Sequence, residues 1–315
     1  AYFSQKTESD DLESPVFFRD RASKTKRQNL RLDVWRKWGS RMLKTLTSNL
    51  TLPSVKLPNV DWDVHNPSDV VEWAESIASE CRRTWGLGDG PISNLTRLAE
   101  AMGICVIRLN LEDMDKVDGF SCWQDGRPFI FLIAKQSATR ERFNLAHEML
   151  HLIAHRGIAA EDMDSDELHQ RIEKEAHAFS GAFIMPRATY AREVVSLSMQ
   201  HFTRLKERWG ASIAAQGNRC RDLGIMDESQ YLQFRKNLSW NKFTKKEPLD
   251  ESMKPEIPSM VKQAITLLST NSVMHGWQMA DSLALTPEKM ETLTNAPKHF
   301  FEPPQAQSEI RLMIK

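Results

Sequence analysis

The chain has 315 residues, enough for one large domain or two ordinary ones. Lysine plus arginine and aspartate plus glutamate are equal at 42 each, so the overall charge gives no case for wrapping nucleic acid or binding a membrane surface. No apolar run approaches the roughly 18 residues that span a bilayer, and the polar, acidic first residues are unlike a secretory signal. The four cysteines form no CxxC pair, which argues against a zinc ribbon or a disulfide scaffold. We therefore expect a soluble, cytoplasmic protein.

A basic helix is predicted from about Ser23 to Asn49. Its apolar residues recur at steps of four: Leu30, Val34, Trp38, Met42 and Leu46. Nine basic residues lie between Arg21 and Lys44, against the single acid Asp33. Such a helix suggests a contact to nucleic acid or a protein partner, but a solvated face is the preferred interpretation.

The next stretch predicts two helices followed by a small sheet. Two prolines in "LTLPSVKLPNVDWD" mark a linker, and Ser68 is the expected N-cap of the helix that follows. A short helix in "ISNLTRLAEAMG" precedes the predicted strands "ICVIRL" and "GFSCWQDGRPFIFLI". Asp125-Gly126 is the expected hairpin turn within the second of these segments.

The segment "FNLAHEMLHLIAHRG" reads as a buried helix, running from about Thr139 to Arg156 and ended by Gly157. It carries the pattern HExxH as His147, Glu148 and His151. The two histidines are four residues apart, so they lie on one face and can reach one ion. Three polar groups in an apolar helix cost several kcal/mol unless something satisfies them, and Zn²⁺ would do so.

A third ligand is expected from the second helix, "DSDELHQRIEKEAHAFSGAFIMP". Its apolar stripe consists of Leu168, Ile172, Ala176, Phe179 and Phe183. Glu173 and Glu175 both flank this stripe, and either could bring an oxygen to the metal. Helical periodicity alone prefers Glu175, because it lies closer to the centre of the stripe.

The two segments "RFNLAHEMLHLIAHRG" and "IEKEAHAFSGAFIMP" together resemble the ImmA/IrrE family of bacterial and phage zinc peptidases. The likeness continues in "GLGDGPISNLTRLAEAMGICVIRL" before the motif, and in "LKERWGASIAAQGNRCRDLGIMDESQY" and "KKEPLD" after it. "SPVFFRDRASKTKRQNLRLDVWRKW" resembles the connector of longer members that begin with an XRE-type helix-turn-helix domain. That DNA-binding domain is not visible in the sequence, so nucleic acid is an expected partner only if the full-length protein contains it.

The resemblance implies an α+β fold that is mostly helical, with a zincin-like metallopeptidase core. We expect an N-terminal connector and basic helix over 1–60, the peptidase domain over 61–200 and a helical C-terminal region over 201–315. In the C-terminal region, "PEIPSMVKQAITLLSTNSVMHGWQMADSLALTPEKMETLTN" reads as three short helices. They loosely resemble a helix-turn-helix, but packing or a partner site is the preferred interpretation, and no tight duplex binding is expected.

Carried over to this sequence, the family pattern makes His147 and His151 the zinc ligands and Glu148 the catalytic base. It selects Glu173 over Glu175 as the third protein ligand. The sequence departs from the pattern at His177, where Asn or Asp is usual, and at Leu150, where Gly is usual.

Two further roles stay open. His155 is expected either to end the helix near its negative dipole or to touch the metal. The extra donor to the developing oxyanion is expected from Tyr190, His177 or an arginine.

Three functions are weighed: a zinc endopeptidase acting on one protein, a transcriptional regulator that senses or binds without cutting, and a toxin–antitoxin or defence component. An intact Glu148 favours the endopeptidase, because a binding-only site does not need a base. The resemblance implies a role in stress or phage response, with a DNA-binding repressor or antitoxin as substrate. The strand "PFIFLI", residues 128 to 133, is the expected partner for an extended substrate segment. A homodimer is compatible with the sequence.

Overall fold

The computed structural model describes residues 17–18, 26–62, 69–111, 114, 117–158 and 165–304, and within them the fold is α+β and mostly helical. The described strands are β1 (Phe17–Phe18), β2 (Cys105–Leu109), β3 (Gly119–Gln124) and β4 (Arg127–Ile133). The described helices are α1 (Lys26–Thr47), α2 (Val70–Thr84), α3 (Leu95–Ala101), α4 (Ala138–Ala154), α5 (Asp166–Ile184), α6 (Arg187–Glu193), α7 (Met199–Trp209), α8 (Ile213–Asp222), α9 (Glu228–Trp240), α10 (Met260–Thr270), α11 (Gly276–Ser282) and α12 (Pro287–Thr294). None of the described helices is long and apolar enough to cross a bilayer.

The four strands form one mixed sheet in the order β1-β3-β4-β2. β3 and β4 are an antiparallel hairpin, and β2 pairs parallel to β4. The predicted turn at Asp125-Gly126 is confirmed: both residues have positive φ, 50° and 69°, as a two-residue turn of type I′ requires. Because β4 is paired on both sides, "PFIFLI" offers no edge to a substrate, and that prediction was wrong.

The two faces of the sheet carry separate apolar cores, because successive side chains of a strand point to opposite faces. Val106, Ile130 and Leu132 face a core built mainly from α2, α4, α5 and α7 to α9. Ile107, Phe131 and their neighbours on the other face pack with α1 and with α10 to α12. The sheet is therefore a central layer, and α4 lies on the first of these faces.

Helix α1 confirms the predicted helix and the second half of its apolar stripe, but not the first. Leu30 is 68% exposed, whereas Leu32 and Trp35 are buried together with Trp38, Met42 and Leu46. The buried face is therefore rotated at the first turns, where the four-residue spacing chosen from the sequence is too regular. The three short helices predicted near the end of the chain are confirmed as α10, α11 and α12. The division of the chain into three parts stays a prediction.

The N-cap of α2 is Asp69, not the predicted Ser68, which lies outside the described residues. Asp69 has an extended backbone, and its carboxylate accepts hydrogen bonds from the N–H groups of Val71 and Glu72. The four cysteines are free thiols and buried, as expected for small core residues. Burial raises the pKa of the Cys122 thiol to about 12.

A buried ion pair joins α7 to the segment "KKEPLD". The ammonium group of Lys206 is fully buried and contacts Glu247 Oε2 at 2.8 Å and Asp250 Oδ1 at 2.6 Å. Glu247 also accepts hydrogen bonds from the N–H groups of Ile213 and Ala214, the first residues of α8. One carboxylate therefore neutralises a buried charge and satisfies two open N–H groups of a helix.

Replacing Glu247 by alanine should lower the free energy of unfolding by about 3 to 5 kcal/mol, because it leaves the charge on Lys206 buried with a single partner. Urea denaturation followed by circular dichroism measures this. The matched control is Glu251→Ala, since Glu251 is exposed and pairs with the exposed Lys246. Equal midpoints for the two variants would contradict the prediction.

Candidate metal centre

Helices α4 and α5 pack against each other and carry the charged groups of the predicted site. α4 is buried along nearly its whole length, so its polar side chains cannot turn to solvent. His147 and His151 are 0% and 1% exposed, and Glu148 is 1% exposed. The structure places the two histidines one turn apart on the side of α4 that faces α5.

Two imidazole nitrogens and one carboxylate group meet between the two helices. The Nε2 atoms of His147 and His151 are 3.1 Å apart. The Glu173 carboxylate approaches both of them, with Oε2 at 3.3 Å from His147 Nε2 and Oε1 at 3.5 Å from His151 Nε2. These three residues form a group that could hold a metal ion.

The spacing of the two nitrogens is close to that of ligands in a tetrahedral zinc site. Ligand atoms about 2.0 to 2.1 Å from Zn²⁺ in a tetrahedron lie about 3.3 Å from one another, and the two Nε2 atoms are 3.1 Å apart. Each nitrogen also has one oxygen of the Glu173 carboxylate at a comparable distance, Oε2 for His147 and Oε1 for His151. Two imidazole nitrogens that face each other at 3.1 Å also need a shared proton or a cation between them. Zn²⁺ would meet that need and would bind both imidazoles and the carboxylate.

The charges of the three groups suit a divalent cation. Burial lowers the pKa of His147 to about 3, so its imidazole is neutral at pH 7. Burial acts to raise the pKa of the Glu173 carboxyl, but hydrogen bonds from His147 and His151 outweigh it and hold the pKa far below its ordinary value. Neutral imidazole and ionised carboxylate are the forms that bind metal.

Glu175, which periodicity preferred, is directed away from this group. It is 2% exposed and accepts hydrogen bonds from Trp62 Nε1 at 3.0 Å and Arg171 Nε at 2.8 Å. The periodicity argument failed because α5 is covered by both α2 and α4, so its buried surface is wider than one stripe.

His155 lies behind His151. It is fully buried and caps the C-terminus of α4, which ends at Ala154, two residues before the predicted end at Arg156. Its Nδ1 is 2.8 Å from Nδ1 of His151, and its Nε2 is 3.0 Å from Oε2 of Glu175. His155 therefore contacts a candidate ligand, and its ring lies outside the group of three donors.

With a metal bound at Nε2 of His151, this arrangement would fix the tautomers of both rings. If Nε2 of His151 directs its lone pair at a metal, its Nδ1 carries the proton and donates to Nδ1 of His155. His155 then carries its proton on Nε2 and donates to Glu175. Burial acts to raise the pKa of Glu175, but hydrogen bonds from His155, Trp62 and Arg171 hold it below the ordinary value, so the terminal acceptor is ionised. Such outer partners orient a ligand and raise its basicity.

Glu148 points from α4 to the sheet. Its Oε2 accepts a hydrogen bond of 2.7 Å from the Ser121 hydroxyl of β3. Ser121 is fully buried, and the bond fixes the rotation of the carboxylate about its last torsion angle. Ser121 could not be predicted from the sequence, because a lone serine inside a strand gives no signal until the packing of that strand against the helix is known.

The extra donors proposed from the sequence lie in different places. His177 packs edge-on against His147 with ring centroids 5.1 Å apart, so it borders the site. Tyr190 is buried in α6, where its hydroxyl donates to Gln216, and it is wrong as a candidate for this site. Arg142 contacts Glu256 and the carbonyl of Ile92, at the other end of α4.

Residues 99–221 match the family model of the IrrE N-terminal-like domain, a family of peptidases. The matched segment reaches from α3 into α8 and is similar to this metallopeptidase-like family. A solved structure of a Mycobacterium tuberculosis transcriptional regulator is 19% identical, with a TM-score of 0.35. That match covers 47% of this chain and 46% of the regulator, so the chain spans less than half the length of that structure. No curated protein matches the chain.

The geometry predicts a graded loss of metal affinity. Wild-type protein should bind about one equivalent of Zn²⁺. Glu175→Ala should weaken binding by about 10- to 100-fold, because it removes the support of His151 through His155. Glu173→Ala should weaken binding more, because it removes a ligand. Competition with a chromophoric chelator measures the affinities.

Glu167→Ala is the matched control, since Glu167 is an exposed glutamate in the first turn of α5. It should bind zinc as the wild type does. A greater loss in Glu175→Ala than in Glu173→Ala would contradict the assignment of the ligands.

Proposed function

We propose that this chain is a zinc-dependent endopeptidase in which His147, His151 and Glu173 hold the metal and Glu148 is the catalytic base. The observation that carries the proposal is the cluster of two imidazole nitrogens and the Glu173 carboxylate, which could hold a metal ion, with the buried and oriented carboxylate of Glu148 on the same helix as the two histidines. The family match over residues 99–221 supports the same class of chemistry.

When bound, Zn²⁺ supplies a Lewis acid that polarises the carbonyl of the scissile peptide bond. Glu148 takes a proton from the attacking water and delivers it to the departing amine. Ser121 Oγ–H donates to Oε2 of Glu148 and so holds the carboxylate in one orientation. His155 and Glu175 hold His151 in the tautomer that leaves its Nε2 lone pair for the metal.

We further propose that the substrate is a regulatory protein, either a DNA-binding repressor or an antitoxin. The resemblance of the two motifs to peptidases of this kind motivates this choice. A buried site of this type requires an extended or exposed segment in the substrate, so compact proteins should resist cleavage. Binding or sensing without cleavage is the competing function, and the presence of Glu148 argues against it.

The Glu148→Gln variant tests whether Glu148 acts as the catalytic base and not as a metal ligand. The variant should keep its zinc and its fold, because Gln retains an acceptor for Ser121, yet turnover should fall by at least about 100-fold for loss of a general base. Ser121→Ala should show a smaller loss, since it frees the orientation of the carboxylate but keeps the base. Zinc content, circular dichroism and cleavage rate are measured together. Undiminished turnover in Glu148→Gln would exclude the mechanism.

The substrate is tested by incubation with the purified products of neighbouring genes. We expect one cut, or very few, within a linker of one product, absent with chelator and with Glu148→Gln. Unfolded casein serves as the comparison. Broad digestion of casein would contradict a dedicated substrate, and no cut in any product by the zinc-loaded protein would favour the sensing function.

A further inference from the structure

The strand closest to the candidate base is β3, and one of its two edges is paired by the N-terminal part of the same chain. Ser121 of β3 holds Glu148, and the residue pairs Phe17↔Ser121 and Phe18↔Phe120 join β1 to β3 in antiparallel orientation. β1 has only two residues, whereas β3 has six.

The direction of the backbone groups of β3 follows from its pairing with β4. The Ile133 N–H donates to the Asp118 carbonyl at 3.0 Å, and the register runs unbroken from Gly119↔Leu132 to Gln124↔Arg127. In an antiparallel ladder, alternate residues exchange both backbone bonds with one neighbouring strand, and the residues between them point the other way. Gly119, Ser121 and Trp123 therefore direct their N–H and C=O groups to the β1 side of β3.

Of these three residues, Ser121 lies opposite a residue of β1, namely Phe17. The backbone of Phe17 thus meets the strand at the residue whose side chain holds Glu148. A polypeptide in the position of β1 lies one strand spacing, about 4.8 Å, from β3. That position adjoins the candidate base.

We propose that the β1 side of β3 receives an extended substrate segment antiparallel to β3, and that the chain's own Phe17–Phe18 competes with the substrate for this position. The proposal rests on the proposed peptidase function for the identity of the occupant. An incoming strand of five residues can form backbone hydrogen bonds with Gly119, Ser121 and Trp123. β1 lies opposite only Ser121 among these three residues. Main-chain bonds would give affinity without demanding a particular sequence.

Proline substitutions distinguish the two residues of β1. The N–H of Phe17 points to β3, so Phe17→Pro removes one bond of the pair, whereas the N–H of Phe18 points away from it. Proline at 18 also favours an extended backbone at 17, which the strand already has. Phe18→Pro is therefore the matched control.

Both variants are made in the Glu148→Gln background, so that no readout depends on cleavage. The first readout is hydrogen exchange of the Ser121 amide, followed by mass spectrometry. It should become faster in Phe17→Pro and stay as in the parent in Phe18→Pro. The second is affinity for a synthetic peptide of residues 14–21, "SPVFFRDR". It should rise about tenfold in Phe17→Pro if the internal strand fills the position about nine-tenths of the time.

The outcomes separate the alternatives. Equal exchange in the two proline variants, or faster exchange without any gain in peptide affinity, would overturn the proposal, and the second result would make β1 a permanent part of the sheet. If Phe17→Pro does not fold, as judged by circular dichroism, the Phe17→Gly/Phe18→Gly double variant weakens the strand while keeping both N–H groups. The two proposals can fail separately. If the peptide binds to β3 but the zinc-loaded wild-type protein cleaves no substrate, this inference is supported and the proposed function is contradicted.

Discussion

The burial of His147, Glu148 and His151 inside α4 is the constraint on which the rest of the site depends. An apolar helix interior penalises each of these groups unless a partner satisfies it. Three partners contact these groups. Glu173 of α5 contacts His147, His155 at the C-terminus of α4 contacts His151, and Ser121 of β3 donates a hydrogen bond to Glu148. Two of these contacts join α4 to α5 and to β3.

Helix α5 supplies both a candidate metal ligand, Glu173, and a residue that supports a ligand, Glu175. They are two residues apart on α5, and therefore lie on different sides of it. Glu173 faces the two Nε2 atoms, whereas Glu175 reaches around to the back of His151 through His155. Hydrogen bonds from His155, Trp62 and Arg171 outweigh burial, lower the pKa of Glu175 and hold its carboxylate in place. Glu173 would thus help to balance the charge of a metal, while Glu175, acting through His155, would orient the ligand His151.

Local patterns in the sequence predicted what depends on local structure. The four-residue spacing of His147 and His151, the Asp125-Gly126 turn and the stripe of α5 all follow from helix or hairpin geometry. The failures concern contacts between distant segments. Which glutamate of α5 contacts the histidines depends on how many helices cover α5. The central position of β4 in the sheet depends on its pairing with β2, from which β3 separates it in the sequence. Ser121 went unnoticed for the same reason.

The second core, on the far side of the sheet, contributes to the site through the register of β3. Phe120 stacks on Phe131 with ring centroids 4.5 Å apart, and this pair belongs to the core formed with α1 and α10 to α12. Because side chains alternate along a strand, a slip of one residue would turn Phe120 toward α4 and carry Ser121 away from Glu148. It would also reverse which residues of β3 direct their backbone groups to the β1 side. The apolar packing of α1 and the C-terminal helices therefore helps to keep both the hydrogen bond to the candidate base and the direction of the strand edge beside it.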